Sequence, residues 1–408
     1  MLSTTNLNSF LTLGYFLEFR NTEYIPIPIT NPSLYSEIDE RELIDIGSKI
    51  FLDIFNDEII TNKKHLVPLS GGYDSRAIIG ALLKHTNASN IKTFTFGIPG
   101  SFDFEIGKEL SKYLGIENLE IDLNKQEFSM KMLMNTAKRF NHQTFLFYHP
   151  DYDVIKEKFG QCIYWSGFLG GEAAGSHFPI WETEKMHINF IIEKFLKNNQ
   201  YVKSKYLASE PLNSLIPLID GQNITIENFS RYETIDFFNR QTKYIAPHVC
   251  PLGFNVIAPY SSKEWLNFIC SVPNKNRHDV ILYEKILLHT FPELFSFPTK
   301  NKYGLPLNSS TYRVLMKKLN YKIQRRLGFD EVINNKIRNY FDINSAVRNN
   351  DTIKHIMIEN INDLTNRNIL PWLNPNKILN DHLQSLNNYG DAIQVLASLE
   401  IILKSKDL

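Results

Sequence analysis

The residues best equipped for chemistry lie in LVPLSGGYDSRAIIGALLKH, residues 66–85. Two adjacent glycines flanked by serines are followed by an aspartate, between an apolar run and an amphipathic helical pattern. A strand feeding a glycine turn and then a helix points unpaired backbone N–H groups outward at the helix start, and the helix dipole adds positive character there. Gly71 and Gly72 let an anion approach the backbone without meeting a Cβ, and the hydroxyls of Ser70 and Ser75 supply further donors. Asp74 is the odd member, because a carboxylate repels phosphates unless a cation stands between them. Mg²⁺ resolves this, since it is commonly shared by one or two carboxylates and substrate phosphates. The loop has neither the lysine of GxxxxGK[ST] nor the spacing of GxGxxG. An ordinary strand–turn–helix joint with polar caps leaves this combination unexplained.

The elements that must hold this loop follow from periodicity. DERELIDIGSKIFLDIF and DSRAIIGALLKHT read as helices on either side of the strand HLVPLS. Strand IKTFTFGI, helix SFDFEIGKELSKYLG, strand NLEIDL, helix FSMKMLMNTAKRF and a short strand QCIYWSG continue the alternation. Strands alternating with helices of 10 to 15 residues predict a parallel sheet covered by helices. From about residue 191 long helical patterns take over, as in EKILLHTF and DAIQVLASLEIILKS. The expected layout is a connecting arm at 1–45, an α/β core at 46–190 and a helical extension at 191–408.

Bulk composition narrows the function class. The 408 residues are 43% hydrophobic and carry 44 basic against 44 acidic side chains, so no global field draws in nucleic acid or an anionic membrane. No window of about 18 apolar residues predicts a membrane span. The N-terminal MLSTTNLNSFLTLGYFLEFR lacks the pattern of a signal peptide. Cys162, Cys250 and Cys270 are isolated, which fits buried thiols in a reducing cytoplasm. The eleven histidines show no HExxH or paired spacing, against a transition-metal site.

LSGGYDS resembles the SGGxDS pyrophosphate-binding loop of the ATP pyrophosphatases, and its surroundings are similar to the synthetase domain of the asparagine synthetase family. IKTFTFGIPGSFDFEIGKELSKYLG has the layout of that family's second strand, proline-glycine turn, aspartate and helix. CIYWSGFLGGEAAG sits where the family carries SGEGxDE, APYSSKEWLNFICSVP resembles "PFLD…P", KNKYGLPL resembles "KxGFxxP", and LASLEIIL its closing helix. The resemblance spans about residues 60 to 405, and the arm NSFLTLGYFLEFRNTEYIPI reads like the family's linker from glutaminase to synthetase domain.

This resemblance implies an adenine nucleotide alpha hydrolase-like fold of the ATP pyrophosphatase type. It also implies a reaction. A substrate carboxylate attacks the α phosphorus of ATP, pyrophosphate leaves on the glycine loop with Mg²⁺, and ammonia or an amine converts the acyl-adenylate into an amide and AMP. Carried onto this sequence, Ser70, Gly71, Gly72, Asp74, Ser75, Phe96, Gly97, Asp103 and Gly167 bind the nucleotide. Asp74 holds the metal, Glu172 is a catalytic carboxylate, and Lys302 stabilises the leaving pyrophosphate or is a solvated surface lysine. For Asp103, a charge at a helix N-terminus is the other reading.

The departures matter as much. The family's glutaminase uses an N-terminal cysteine, but position 2 is leucine, so the nucleophile is expected to be free ammonia, ammonia from a separate subunit, or an amine. Phe168 stands where the family has a base-like glutamate, and Gly171 where a second metal-binding aspartate sits. Glu172 shifting inward, or Asp74 and the phosphates alone, would then hold Mg²⁺. Replacement bases are Glu233 and Asp236, whose spacing of three puts both on one helical face, unless that face is salt-bridged with Arg231 and Arg240. His142 and His149 line a pocket or are structural, and the basic run RVLMKKLNYKIQRR grips an anionic substrate or is a solvated face. The altered pocket points to an adenylating, cytoplasmic amide synthetase acting on a carboxylate other than free aspartate, such as a peptide, a natural-product acid or a sugar uronic acid. A non-catalytic nucleotide sensor or subunit is the competing reading. A tRNA-modifying pyrophosphatase is disfavoured by the scattered cysteines and balanced charge.

Overall fold

The computed structural model describes residues 3–20, 27–60, 62–201, 207–327, 329, 333 and 336–406. Its centre is a five-stranded sheet formed by β1 (His65–Pro68), β2 (Ile91–Gly97), β3 (Glu117–Asp122), β4 (Ile163–Trp165) and β5 (Asn255–Ile257). The spatial order is β3-β2-β1-β4-β5 and every pairing is parallel, with His65 opposite Ile91 on one side and Ile163 on the other. The chain therefore winds outward from β1 through β2 to β3, then returns to build the other half from β4. That reversal beside β1 is a topological switch point, where open α/β sheets form a crevice at the carboxyl ends of their strands. The fifth strand comes from beyond residue 190, so the sheet draws on sequence from both the core and the helical extension.

Helices cover both faces, as β1 with its run of buried residues requires. One face packs under α2 (Glu40–Glu58) and α3 (Asp74–His85), where Phe55 stacks on Trp165 with ring centroids 4.8 Å apart. The same face carries α4 (Phe102–Tyr113), whose Leu110 joins Val67, Phe55 and Ile78 in one apolar cluster. The other face carries α5 (Met130–Arg139) and α6 (Tyr152–Phe159), where Phe140, Tyr152 and Ile155 pack with Leu66, Phe94 and Tyr164. N-cap hydroxyls of Ser101 and Ser129 accept from Phe104 N–H and Met132 N–H, and Asp151 caps the next helix from its carboxylate.

The segment expected as an arm is firmly built in. Its helix α1 (Thr4–Leu13) is buried along most of its length, and the turn after it places Tyr15, Phe16 and Leu17 in the interior. The C-terminal helix Gly390–Ser405 packs with α5 and the helix Asp351–Arg367. It is apolar nearly all round and accordingly buried on all sides, as such a pattern requires. The remaining elements that matter for function are the short α7 (Gly170–Ala173), α8 (Ile188–Asn199), α9 (Arg231–Asp236) with the π-helix Phe237–Ile245 that continues it, α10 (Ala246–Val249), α11 (Lys263–Ser271), α12 (Asn274–Arg277), α13 (Ile281–Thr290) and α14 (Thr311–Arg326). Among the described residues no helix is long and apolar enough to cross a membrane.

Candidate active site

The loop after β1 and the loop after β4 meet at the switch point, and Asp74 is the residue they share. Asp74 opens α3, and its carboxylate Oδ1 accepts from the Tyr283 hydroxyl at 2.7 Å, while the Tyr260 hydroxyl donates to its backbone carbonyl at 3.1 Å. Gly167 and Gly170 close over it. A Cβ on Gly170 would stand 2.3 Å from Asp74 Oδ1, and one on Gly167 2.9 Å from Asp74 Cβ. Both glycines are therefore demanded by close approach. Leu169, between them, holds φ 69° in the left-handed region, a strained conformation that recurs at functional sites.

Asp74 lies in the field of a second carboxylate. Burial, then the charge of Glu172, pushes the Asp74 carboxyl up to about 7, against the hydrogen bonds from Tyr283 and the Gly171 amide. The partners that act on it are a second carboxylate and neutral donors. A hard divalent cation with oxygen ligands fits this pair, so Asp74 and Glu172 are the residues that would hold Mg²⁺. Gly171 leaves no carboxylate at its position, but its backbone N–H touches the same Asp74 group.

The glycine loop is held from behind. The Gly71 amide donates to Asp103 Oδ1 at 3.2 Å, and Lys300 Nζ reaches Asp103 Oδ2 at 2.5 Å. Lys300 N–H also donates to the Gly71 carbonyl at 2.9 Å. Asp103, in the first turn of α4, thus joins both of its readings: helix-start charge and loop partner. Gly72 N–H points at Ser70 Oγ at 3.3 Å, and Ser70 N–H at Ser75 Oγ at 3.4 Å. Lys302 is paired with Glu284 at 2.8 Å, and the Tyr73 hydroxyl donates to the same carboxylate at 3.0 Å. Buried Arg76 donates to the carbonyls of Leu294, Phe297 and Pro298, which fixes the segment leading to both lysines.

Beyond the loops lies a cavity of about 610 Å³. Ser70, Gly72, Asp74, Ser75, Phe96, Gly167, Phe168 and Glu172 form one side, and aromatic rings form the other. Phe145 stacks on Tyr201 at 4.0 Å between centroids, and Tyr148 on Tyr340 at 4.7 Å. Gly97 itself lies behind this wall. With φ 142°, it leaves room for Asn339, which donates to the Phe96 carbonyl at 2.8 Å. His149 lines the cavity, and burial, followed by the neighbouring His248, holds its imidazole well below the ordinary value. His142 is not among the lining residues.

The two base candidates part company. Glu233 is structural: its carboxylate pairs with fully buried Arg277 at 2.9 Å and closes a capping box with Ser230. Asp236 instead accepts from Gln241 at 2.8 Å and meets His177 Nδ1 at 3.0 Å. Arg231 pairs with Glu182, so the face is not the intrahelical salt-bridged one considered from spacing. The basic run forms α14, which lines a different concavity. Sequence reading assigned no role to Lys300, Gly170 or His177, although the first two lie inside the segments KNKYGLPL and CIYWSGFLGGEAAG that it had singled out.

Residues 53–140 match the asparagine synthase family model. The matched stretch holds α3 with its glycine loop, β2 with Phe96 and Gly97, and Asp103, and is consistent with a synthetase domain of the asparagine synthetase family. It supports an ATP-dependent, amide-forming ligase in general. No curated protein matches the chain.

Proposed function

We propose that the protein activates a substrate carboxylate as an acyl-adenylate and transfers the acyl group to ammonia or an amine. The observation that carries this reading is the convergence of the SGGYDS loop and the SGFLGG loop on one half-buried aspartate, at the mouth of an aromatic-walled cavity. ATP would enter with its phosphates over Ser70, Gly71, Gly72 and Ser75 and its base among the rings. Bound Mg²⁺ would neutralise phosphate charge as pyrophosphate departs. The loop amides and hydroxyls orient the leaving group, Lys300 holds the loop through Asp103, and Lys302 meets the developing charge by leaving Glu284. Phe168 closes the cavity against water, which protects an adenylate from hydrolysis.

The alternative is nucleotide binding without turnover, favoured by Phe168 and Gly171 in place of acidic residues. Incubating the full chain with Mg·ATP and a panel of carboxylic acids, and reading pyrophosphate exchange and AMP, separates the two. Exchange with at least one acid, lost in Asp74→Asn, is the expected result. Mg·ATP binding without exchange for any acid or amine favours the alternative, and an unimpaired Asp74→Asn variant overturns the site.

A further inference from the structure

A second cavity of about 650 Å³ lies beside the first, lined by His177, Trp181, Tyr232, Asp236 and Arg240 among others. Its polar groups are arranged by the π-helix. With i to i+5 winding, Gln241 Nε2 donates back to Asp236 Oδ2 at 2.8 Å, and Thr242 Oγ1 to the Phe237 carbonyl at 2.7 Å. Such segments appear mostly as single turns and frequently at functional sites, and this one runs for nine residues. Asp236 is buried, and its carboxylate fixes His177 through Nδ1, which leaves Nε2 as the ring nitrogen open to a ligand. Arg240 is half-buried over the Tyr244 ring at 6.0 Å and has no carboxylate partner among the described residues. Tyr244 and Glu172 line the first cavity, so the wall between the two spaces is thin: Arg240 and Tyr244 on one side, Glu172 and His177 on the other.

We infer that this second cavity binds the nucleophile of the reaction, an amine that carries its own carboxylate, which is the chemistry of an amino acid. The inference rests on the adenylation reading above. Arg240 would take the carboxylate, and the ammonium would face His177 and Asp236 with Glu172 beyond. The ammonium must lose two protons. One passes to His177 Nε2 before the freed lone pair attacks the acyl carbon, and the other goes to the departing phosphate as the C–N bond forms and the C–O bond to AMP breaks with its electron pair. In accepting the first proton His177 takes the role that Phe168 cannot fill, and Asp236 stabilises the imidazolium. Burial pulls the His177 imidazole down, but the Asp236 hydrogen bond and charge, with Glu172, outweigh it against Arg240 and leave it above its ordinary value.

Titrating the full chain with the twenty L-amino acids, while following the His177 imidazole resonances assigned through His177→Gln, tests the site without any turnover. At least one amino acid should move the signal. Its decarboxylated amine and its deaminated acid should bind at least tenfold more weakly. Arg240→Gln should weaken that amino acid by tenfold or more at unchanged Mg·ATP binding, which also reports a folded variant. Signals that ignore every amino acid overturn the inference, as does equal binding of the amine alone or the acid alone. With an acid that supports pyrophosphate exchange, His177→Gln should cut amide formation on the order of 100-fold while hydroxylamine still traps the adenylate. Equal loss of both overturns the proton-transfer role. Absence of exchange with every acid sinks the adenylation reading by itself, and the titration then decides the amino-acid site.

Discussion

A single methyl group placed on Gly170 tests the whole arrangement. The Cβ of Gly170→Ala would lie 2.3 Å from Asp74 Oδ1, 2.4 Å from its Cγ and 2.9 Å from Oδ2. Ordinary contact begins near 3.4 Å, so the carboxylate must withdraw by about 1 Å, away from the Tyr283 hydroxyl at 2.7 Å. Gly170 lies in α7 with no left-handed torsion, so alanine itself suits the backbone, and its helix preference of about 0.5–1 kcal/mol offsets part of the crowding. The fold should survive. Disturbing the placement of a metal-binding carboxylate costs about 10- to 100-fold in metal affinity, up to about 2.7 kcal/mol. Mg·ATP titrated calorimetrically into Gly170→Ala should therefore bind about 10- to 100-fold more weakly, at a melting temperature close to that of the parent. Gly171→Ala is the control, because its Cβ would meet only Ser176 Oγ at 3.6 Å, and it should bind within threefold of the parent. Full affinity in a folded Gly170→Ala, or equal damage in both variants, refutes the claim that Asp74 positions the metal and phosphates.

Three further outcomes follow from the geometry. Lys302→Met should lower pyrophosphate exchange on the order of 100-fold with Mg·ATP affinity within threefold, whereas Lys300→Met should weaken Mg·pyrophosphate binding about tenfold by freeing Asp103 and the loop; reversal of the two patterns exchanges their roles. Glu233→Ala leaves the buried Arg277 guanidinium without its carboxylate and should cost about 3–5 kcal/mol in urea unfolding, with a cost below about 1 kcal/mol refuting the pairing. Burial, with nearby positive or histidine groups, holds His142 and His248 down at about 4 and His149 well below 6.5. The unfolded chain takes up their protons first, so this stability is complete above pH 6.5 and declines as pH falls toward 4, by up to about 1.4 kcal/mol per unit for each of the buried His149 and His248 and by less for the partly exposed, solvent-screened His142; melting temperatures that are flat across that window in thermal scans would contradict it.

The α/β core was legible because its signals are local. The alternation of strands and helices from 40 to 165 needs only period and punctuation, and HLVPLS, IKTFTFGI and NLEIDL all fall in the parallel sheet. The strand Asn255–Ile257 was not read, since three residues give no periodicity and its place beside β4 is set by tertiary pairing. The first 45 residues were read as a connecting arm from their prolines, yet residues 6–17 are buried, because α1 has aromatic and aliphatic groups that only a partner helix can cover. In the site, SGGYDS announced itself through composition. Lys300 lay two residues from the lysine that the KYGLP motif singles out, and only the packing of the Pro298–Pro306 hairpin against Gly71 gives it precedence at the loop.

The catalytic segment explains why motif reading stops where it does. In SGFLGGEAAG the acidic residues expected at Phe168 and Gly171 are gone, and sequence alone leaves the deficit open. The structure shows two different physical consequences. At Gly170 the missing side chain lets the backbone close on Asp74, and the Gly171 amide reaches the same carboxylate, with Glu172 as the neighbouring acid. Phe168 lines the first cavity with its ring, while His177 and Asp236, 59 residues apart in sequence, meet at the second. No spacing rule joins such residues, and a π-helix, which periodicity of 3.6 cannot register, supplies their remaining partner, Gln241. On the proposed reading the phosphates stay with the strand-borne loop while proton transfer falls to His177 of the core with Asp236 of the helical extension, so the nucleophile can change without disturbing the loop that handles ATP.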